Sequence, residues 1–179
     1  MDGLGRRVLV VAFDGWNDAG EAASAALRVI RDAQPYEPVF SVDPELYFDY
    51  QYNRPTIGMD AEGQRVLTWP EATVLRPQRR VRGTQLWQLM GAEPSRAWKS
   101  FAHELIDVAL REDITGIVSL GSMLADAPHT RPIRVQAGSE NEVLRDAMDF
   151  ERSTYEGPVG ILSVLNAAAE KVGIPTASL

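Results

Sequence analysis

The sequence predicts an α/β fold, a three-layer α/β/α arrangement around a mostly parallel central sheet. Three observations carry that prediction. Val8 to Phe13 is a continuous apolar run, and Ile117, Val118 and Leu120 make a short one ending at Gly121, the pattern of strands buried on both faces. Each run leads directly into a polar turn with a glycine near its start, at Gly15 and at Gly121. Amphipathic stretches with helical periodicity alternate with the strand-like runs, as they must if helices cover both faces of a sheet.

Taken in order, the first strand covers Val8 to Phe13, and Asp14-Gly15-Trp16-Asn17-Asp18 turns the chain into a helix. Asp18 is placed as its N-cap, with Glu21 three residues on as in a capping box. Ala19, Ala22, Ala23, Ala26, Leu27 and Ile30 share one face of that helix, and Pro35 ends it. Glu37 to Val42 is the next strand. The β-α-β order favours a parallel sheet.

From residue 43 to 83 the pattern changes, and the segment is expected to be an insertion within a single domain spanning 1–179. Leu46 to Asn53 is rich in tyrosine and acid, so the aromatic block Tyr47 to Tyr52 is expected near a subunit or subdomain contact. Thr56 to Met59 and Gln64 to Thr68 are two strands joined by Asp60-Ala61-Glu62-Gly63, a hairpin signal. Thr73 to Leu75 is another short strand. Arg76, Arg79, Arg80 and Arg82 around Pro77 are expected to form a solvated basic loop.

Thr84 to Met90 is a strand, and Pro94 with Ser95 opens a helix. Trp98, Phe101, Ala102, Leu105 and Ala109 lie on one face of it; His103, Glu104, Asp107 and Arg111 lie on the other, facing solvent. Ile133 to Val135 is a short strand, Asn141 to Met148 a helix, and Tyr155 to Pro158 a break. Ile161, Val164, Leu165, Ala168 and Val172 define a last helix, ended by Gly173. Thr176 to Leu179 begins a further strand, which points to a chain truncated on its C-terminal side.

Composition narrows the function. A net charge of -7 argues against a nucleic-acid partner, which needs a basic face. With no cysteine, thiolate chemistry and disulfides are excluded. No run is long and apolar enough to span a bilayer, and no signal peptide precedes Asp14, so a cytoplasmic protein is expected. There is no P-loop, no Gly-x-Gly-x-x-Gly after the first strand and no Gly-x-Ser-x-Gly elbow around Ser122. A Ser122–His129 pair would need a geometry that sequence does not show. Two histidines and no cysteine leave only carboxylates for a metal, and no metal or cofactor is expected. Asp14 and Asp18 at a strand end suit a hard cation, but capping and turn duties explain them better. A nucleoside-hydrolase reading fails because Gly15 and Asn17 stand where further acids are needed.

Both polar loops follow strands taken as parallel, so they emerge at the carboxyl edge of the sheet, where ligands bind in open α/β folds. Asp14, Gly15, Asn17, Gly121, Ser122, Asp126, His129 and Arg131 are therefore expected to line a polar cleft. Arg131 is its anion-binding group, unless Arg131 and Asp126 merely pin the loop.

Five blocks in order resemble the proteasome assembly chaperone 2 family in its actinobacterial branch. They are Phe13 to Gly20, Asp49 to Pro55, Thr68-Trp69-Pro70, Leu124 to Pro132 and Tyr155 to Pro158. The second block adds Asn53 and Arg54 to the candidate ligand-binding residues as motif positions. The resemblance implies a phosphorylase/hydrolase-like fold, a length greater than that of this chain, and no transferable catalytic set. It implies a protein-binding, chaperone-like module with proteasome subunits as partners. It also implies a homo-oligomer, with a trimer favoured by fold analogy. The alternative is a small-molecule phosphorylase or hydrolase working from the carboxyl-edge cleft.

Overall fold

A computed structural model describes residues 3–79 and 83–179. β1 (Arg7–Asp14) is the axis of a six-stranded sheet in the order β2-β5-β6-β1-β7-β8. Its other members are β2 (Tyr36–Ser41), β5 (Ala72–Pro77), β6 (Gln85–Ala92), β7 (Gly116–Ser119) and β8 (Thr176–Ser178). β1 pairs in parallel with β6 on one side and β7 on the other, and β7 with β8. The two apolar runs of the sequence are thus direct neighbours, Val8 facing Gly116 and Val11 facing Ser119. Only β5 runs against the rest, pairing antiparallel with β2 and β6.

The β-α-β order yields two strands of the same direction, though they are not neighbours. β2 runs in β1's direction but sits at the far edge, two strands away, because β5 and β6 fill the places between. β2's outer position suits its Pro38, which has no amide to donate, and a register shift follows between Pro38 and Phe40.

Alternation along β1 sorts the core into two layers. Leu9, Val11 and Phe13 pack with Trp87 and Leu89 of β6 under α3 (Trp98–Arg111) and α5 (Ile161–Lys171), through Phe101, Leu105, Ile161 and Leu165. Val8, Val10 and Ala12 face the other way, toward α1 (Ala22–Asp32) and α4 (Glu142–Met148), meeting Ala23, Leu27 and Leu144. The protein is therefore a helix–sheet–helix sandwich.

Several local expectations shift. α1 buries Ala23, Ser24 and Leu27 rather than Ala22 and Ala26. A turn of 3₁₀ helix, Ala19–Glu21, precedes it, and Glu21 is left-handed (φ 55°), so no capping box forms. Glu21 instead pairs with Arg28 at 3.2 Å. α3 begins at Trp98, after Pro94 and Ser95 have served as a loop. Ile133 to Val135 alternates like a strand but has no pairing partner among the described residues and is exposed.

The segment between β2 and β5 holds α2 (Pro44–Tyr47) and a separate hairpin of β3 (Thr56–Met59) and β4 (Arg65–Thr68). Asp60 Oδ1 sets the hairpin turn by accepting from the amides of Glu62 (3.1 Å) and Gln64 (2.7 Å). The aromatic block divides: Tyr47 and Phe48 are buried, Tyr47 edge-on to Phe101 at 5.2 Å, whereas Tyr52 is exposed. Arg76 is not in a solvated loop. It lies in β5, bonded to Glu37 at 2.6 Å and 3.5 Å from Glu112. Arg80 and Arg82 lie outside the described residues.

Candidate functional site

The carboxyl ends of β6, β1 and β7 come together where the sequence places its polar turns. β1 delivers Asp14, and Gly15 follows with φ 126°, a conformation open to glycine; the Asp18 amide closes the turn on the Gly15 carbonyl at 3.1 Å. β7 delivers Gly121 and Ser122. The two turns are stitched to each other. The Ser122 amide donates to the Asn17 carbonyl (2.7 Å), the Ala19 amide to the Ser122 carbonyl (3.1 Å), and the Ser122 hydroxyl to the Ala19 carbonyl (3.0 Å). Asp18 is buried and its Oδ1 accepts from Ala23 (2.8 Å) and Ser24 (3.2 Å), so it caps α1 from beyond the kink.

A residue that sequence reasoning did not single out holds this edge together. Glu93 follows β6, and its amide donates to the Asp14 carbonyl at 3.0 Å. Its Oε1 accepts from the Ile161 amide at 2.9 Å and its Oε2 from the Trp16 amide at 3.4 Å. Ile161 is the first residue of α5. The free amides at a helix start suit an anion, and here the chain's own carboxylate takes that place. Gly160 lets the pieces close up: a Cβ there would drive into Asn17 Oδ1 and stand 3.2 Å from Glu93 Oε1. Asn17 Oδ1 is buried with no hydrogen-bond partner among the described residues. The only local hint of Glu93's role was a lone acid directly after a strand.

Charge at this edge is acidic. Burial pushes the Asp14 carboxyl above its ordinary value, Asp18 and Glu21 push the same way, and Arg28 and a Ser24 hydrogen bond oppose them.

Asp14, Gly15, Asn17, Gly121 and Ser122 are thus drawn into one knot. Asn53 sits apart on the β2 side, its Oδ1 accepting from Ser95 Oγ at 2.9 Å, and Arg54 is exposed. Asp126, His129 and Arg131 lie in the exposed loop after β7; among the described residues, no hydrogen bond or ion pair joins their side chains to one another, to Asp14 or to Asn17. No cluster of three or more potential metal ligands occurs among the described residues. Among these residues, too, no helix is long and apolar enough to cross a membrane.

A cleft of about 540 Å³ lies at the opposite edge, lined by Arg7, Glu37, Arg76, Gln85, Trp87 and Glu112. Its charged groups already serve one another. Arg7 reaches Asp113 at 2.9 Å and lies 5.5 Å from the Trp87 ring centre, and the Trp87 indole donates to Glu112 at 3.3 Å. The cleft therefore works as a clasp between α3 and the sheet.

The surface carries unusual apolar exposure. Every residue from Thr56 to Trp69 is exposed, including Ile57, Met59, Val66 and Leu67. Trp16, Met123, Leu124, Ile133 and Val135 are likewise open to solvent in the loops that follow β1 and β7.

Residues 12–179 match the PAC2 family model. The crystal structure of a PAC2 family protein from Streptomyces avermitilis superposes with a TM-score of 0.89 at 39% identity, over 96% of this chain and 73% of that one. A Mycobacterium tuberculosis proteasome-assembly chaperone homologue gives 0.84 at 34% identity, over 96% and 72%. Pyrococcus furiosus PbaA, described as an archaeal homologue of proteasome-assembly chaperone, shares the fold at a TM-score of 0.63 and 12% identity, over 98% and 71%. No curated protein matches the sequence. On the family match and the two actinobacterial structures, the chain belongs to the PAC2 family.

Proposed function

We propose that the chain is a protein-binding module of the proteasome-assembly-chaperone kind, working as a homo-oligomer in the cytoplasm with proteasome subunits among its partners. The observation that carries this reading is the β3–β4 hairpin. Ile57 pairs with Leu67 and Met59 with Arg65, which gathers three apolar side chains on one face of a two-stranded sheet exposed throughout. A lone hairpin is marginal in water, and an apolar face of this sort gains stability when another protein covers it. The likeness to the M. tuberculosis proteasome-assembly chaperone homologue supports the same reading. So does Glu93: at the edge where an α/β enzyme would receive an anionic substrate, the first amide of α5 is engaged by the chain's own carboxylate.

The test is binding to purified actinobacterial proteasome subunits by biolayer interferometry, with light scattering for self-association. Wild type is expected to bind, and Ile57→Ser with Leu67→Ser to lose binding at unchanged melting temperature. Absence of binding at micromolar concentration overturns the proteasome partner. A melting-temperature rise with inorganic phosphate or a nucleoside, abolished by Asp14→Asn, would instead favour small-molecule chemistry at the carboxyl edge.

A further inference from the structure

The loop that follows β7 and the segment that follows β2 are complementary to each other. In the loop, Leu124 and Ile133 are 90% and 91% exposed, and Met123 and Val135 are also open to solvent. Its charged residues between Gly121 and Gln136 are Asp126, Arg131 and Arg134, a net positive set on a chain whose total is -7. All three are exposed. The segment Asp43 to Asn53 carries Asp43, Glu45 and Asp49 with no basic residue, alongside exposed Leu46 and Tyr52. Arg96 lies against it but donates to the Glu45 and Leu46 carbonyls, and together with Arg54 it leaves the acids in the majority.

Both surfaces stand at the carboxyl edge, since β2 and β7 run the same way, yet three strands separate them. At the spacing of adjacent strands that is roughly 19 Å, so within one molecule they are held apart. We propose that the Gly121–Gln136 loop of one copy docks on the Asp43–Asn53 segment of a second copy. Arg131 and Arg134 then face Glu45 and Asp49, and Leu124 and Ile133 pack on Leu46 and Tyr52. Each copy offers one donor and one acceptor at opposite ends of one edge, so the contact is head-to-tail and builds a ring where the rotation between copies closes. This contact rests on the homo-oligomer reading above and names its interface.

The experiment is light scattering and sedimentation on the full chain. Arg131→Glu with Arg134→Glu is expected to weaken self-association by roughly tenfold or more, as is Glu45→Arg with Asp49→Arg, and all four together are expected to restore it. Asp49 Oδ1 holds the Gln51 amide at 2.9 Å, so the second pair also removes a contact within its own segment; Leu124→Asp with Ile133→Asp, in the exposed loop, reads the same docking contact without that loss. A wild type that is monomeric at micromolar concentration overturns the homo-oligomer reading and this contact with it. A wild type that assembles, with a mass indifferent to every reversal, overturns this contact alone. If the loop variants stay assembled but lose binding to a proteasome subunit, the loop's occupant is that protein, and the self-docking proposal falls.

Discussion

Replacing Gln88 with leucine should stabilise the protein. Gln88 is fully buried in β6, between Val10 of β1 and Leu75 of β5, on the face that packs against Val8, Ala12 and Leu27. Neither its Oε1 nor its Nε2 has a hydrogen-bond partner among the described residues. Each buried polar group without a partner costs about 1–3 kcal/mol, whereas an apolar side chain of similar volume carries no such penalty. Some of the gain is lost to imperfect packing by the branched side chain. A net gain of about 2 kcal/mol is therefore expected, which in a chain of this size raises the melting temperature by about 4–8 °C. Urea denaturation followed by circular dichroism measures it, with Gln88→Met as the unbranched control. A Gln88→Leu protein less stable than wild type would show that the amide is satisfied in solution, and the reasoning would fail.

Three further outcomes follow from the site and the core. Gly160→Ala should destabilise by about 1–3 kcal/mol in the same assay, because its Cβ enters the space of Asn17 Oδ1 while the backbone there (φ -86°) suits any residue; an unchanged midpoint would show that the knot is loose. Asp14→Asn should raise the melting temperature slightly at pH 7 and not at pH 3. A carboxyl whose folded pKa is raised favours the fold below its ordinary 3.8 and loses that advantage as pH climbs through the folded value; equal effects at both pH values would refute the assignment. Burial, then Glu104 and Asp43, push the Tyr47 hydroxyl up to about 12, so the stability it lends is complete below pH 10 and is lost as pH rises through about 12. Tyr47→Phe should flatten that part of the alkaline denaturation curve, and an unaltered slope would point to other groups.

Much of the frame was legible because its signals are local. The apolar runs of β1 and β7, the Asp60–Gly63 turn and the stripes of α3 and α5 each reside in a few consecutive residues, and the structure forms all of them. What sequence reasoning missed depends on partners far along the chain. β2's Pro38 suits an edge strand, but that β5 and β6 enter between β2 and β1 is something no pattern within Tyr36–Ser41 reveals. Glu93 meets Ile161 across 68 residues, and without that meeting it is an ordinary acid. Ile133 to Val135 has the alternation of a strand but, among the described residues, no neighbouring strand to supply hydrogen bonds, so alternation alone did not make one. The candidate site was half legible: the glycine-bearing turns at Gly15 and Gly121 marked the edge, but composition could not show that Asp126, His129 and Arg131 would stay out in the loop.

The stitching of Asn17 and Ala19 to Ser122 has a consequence for how the protein acquires its shape. These contacts join positions more than 100 residues apart, with the Ser122 hydroxyl and the Ala19 carbonyl separated by 103. Closing so long a stretch of chain costs entropy that a few hydrogen bonds at its ends cannot recover alone. β1 must therefore already lie against β6 and β7 before the knot can tie, and the carboxyl edge belongs to the late, non-local part of folding. Damage to the knot should be felt on the way out rather than on the way in: faster unfolding at a nearly unaltered rate of folding. The region that most resembles a functional edge is then also the latch that sets how long each folded molecule lasts.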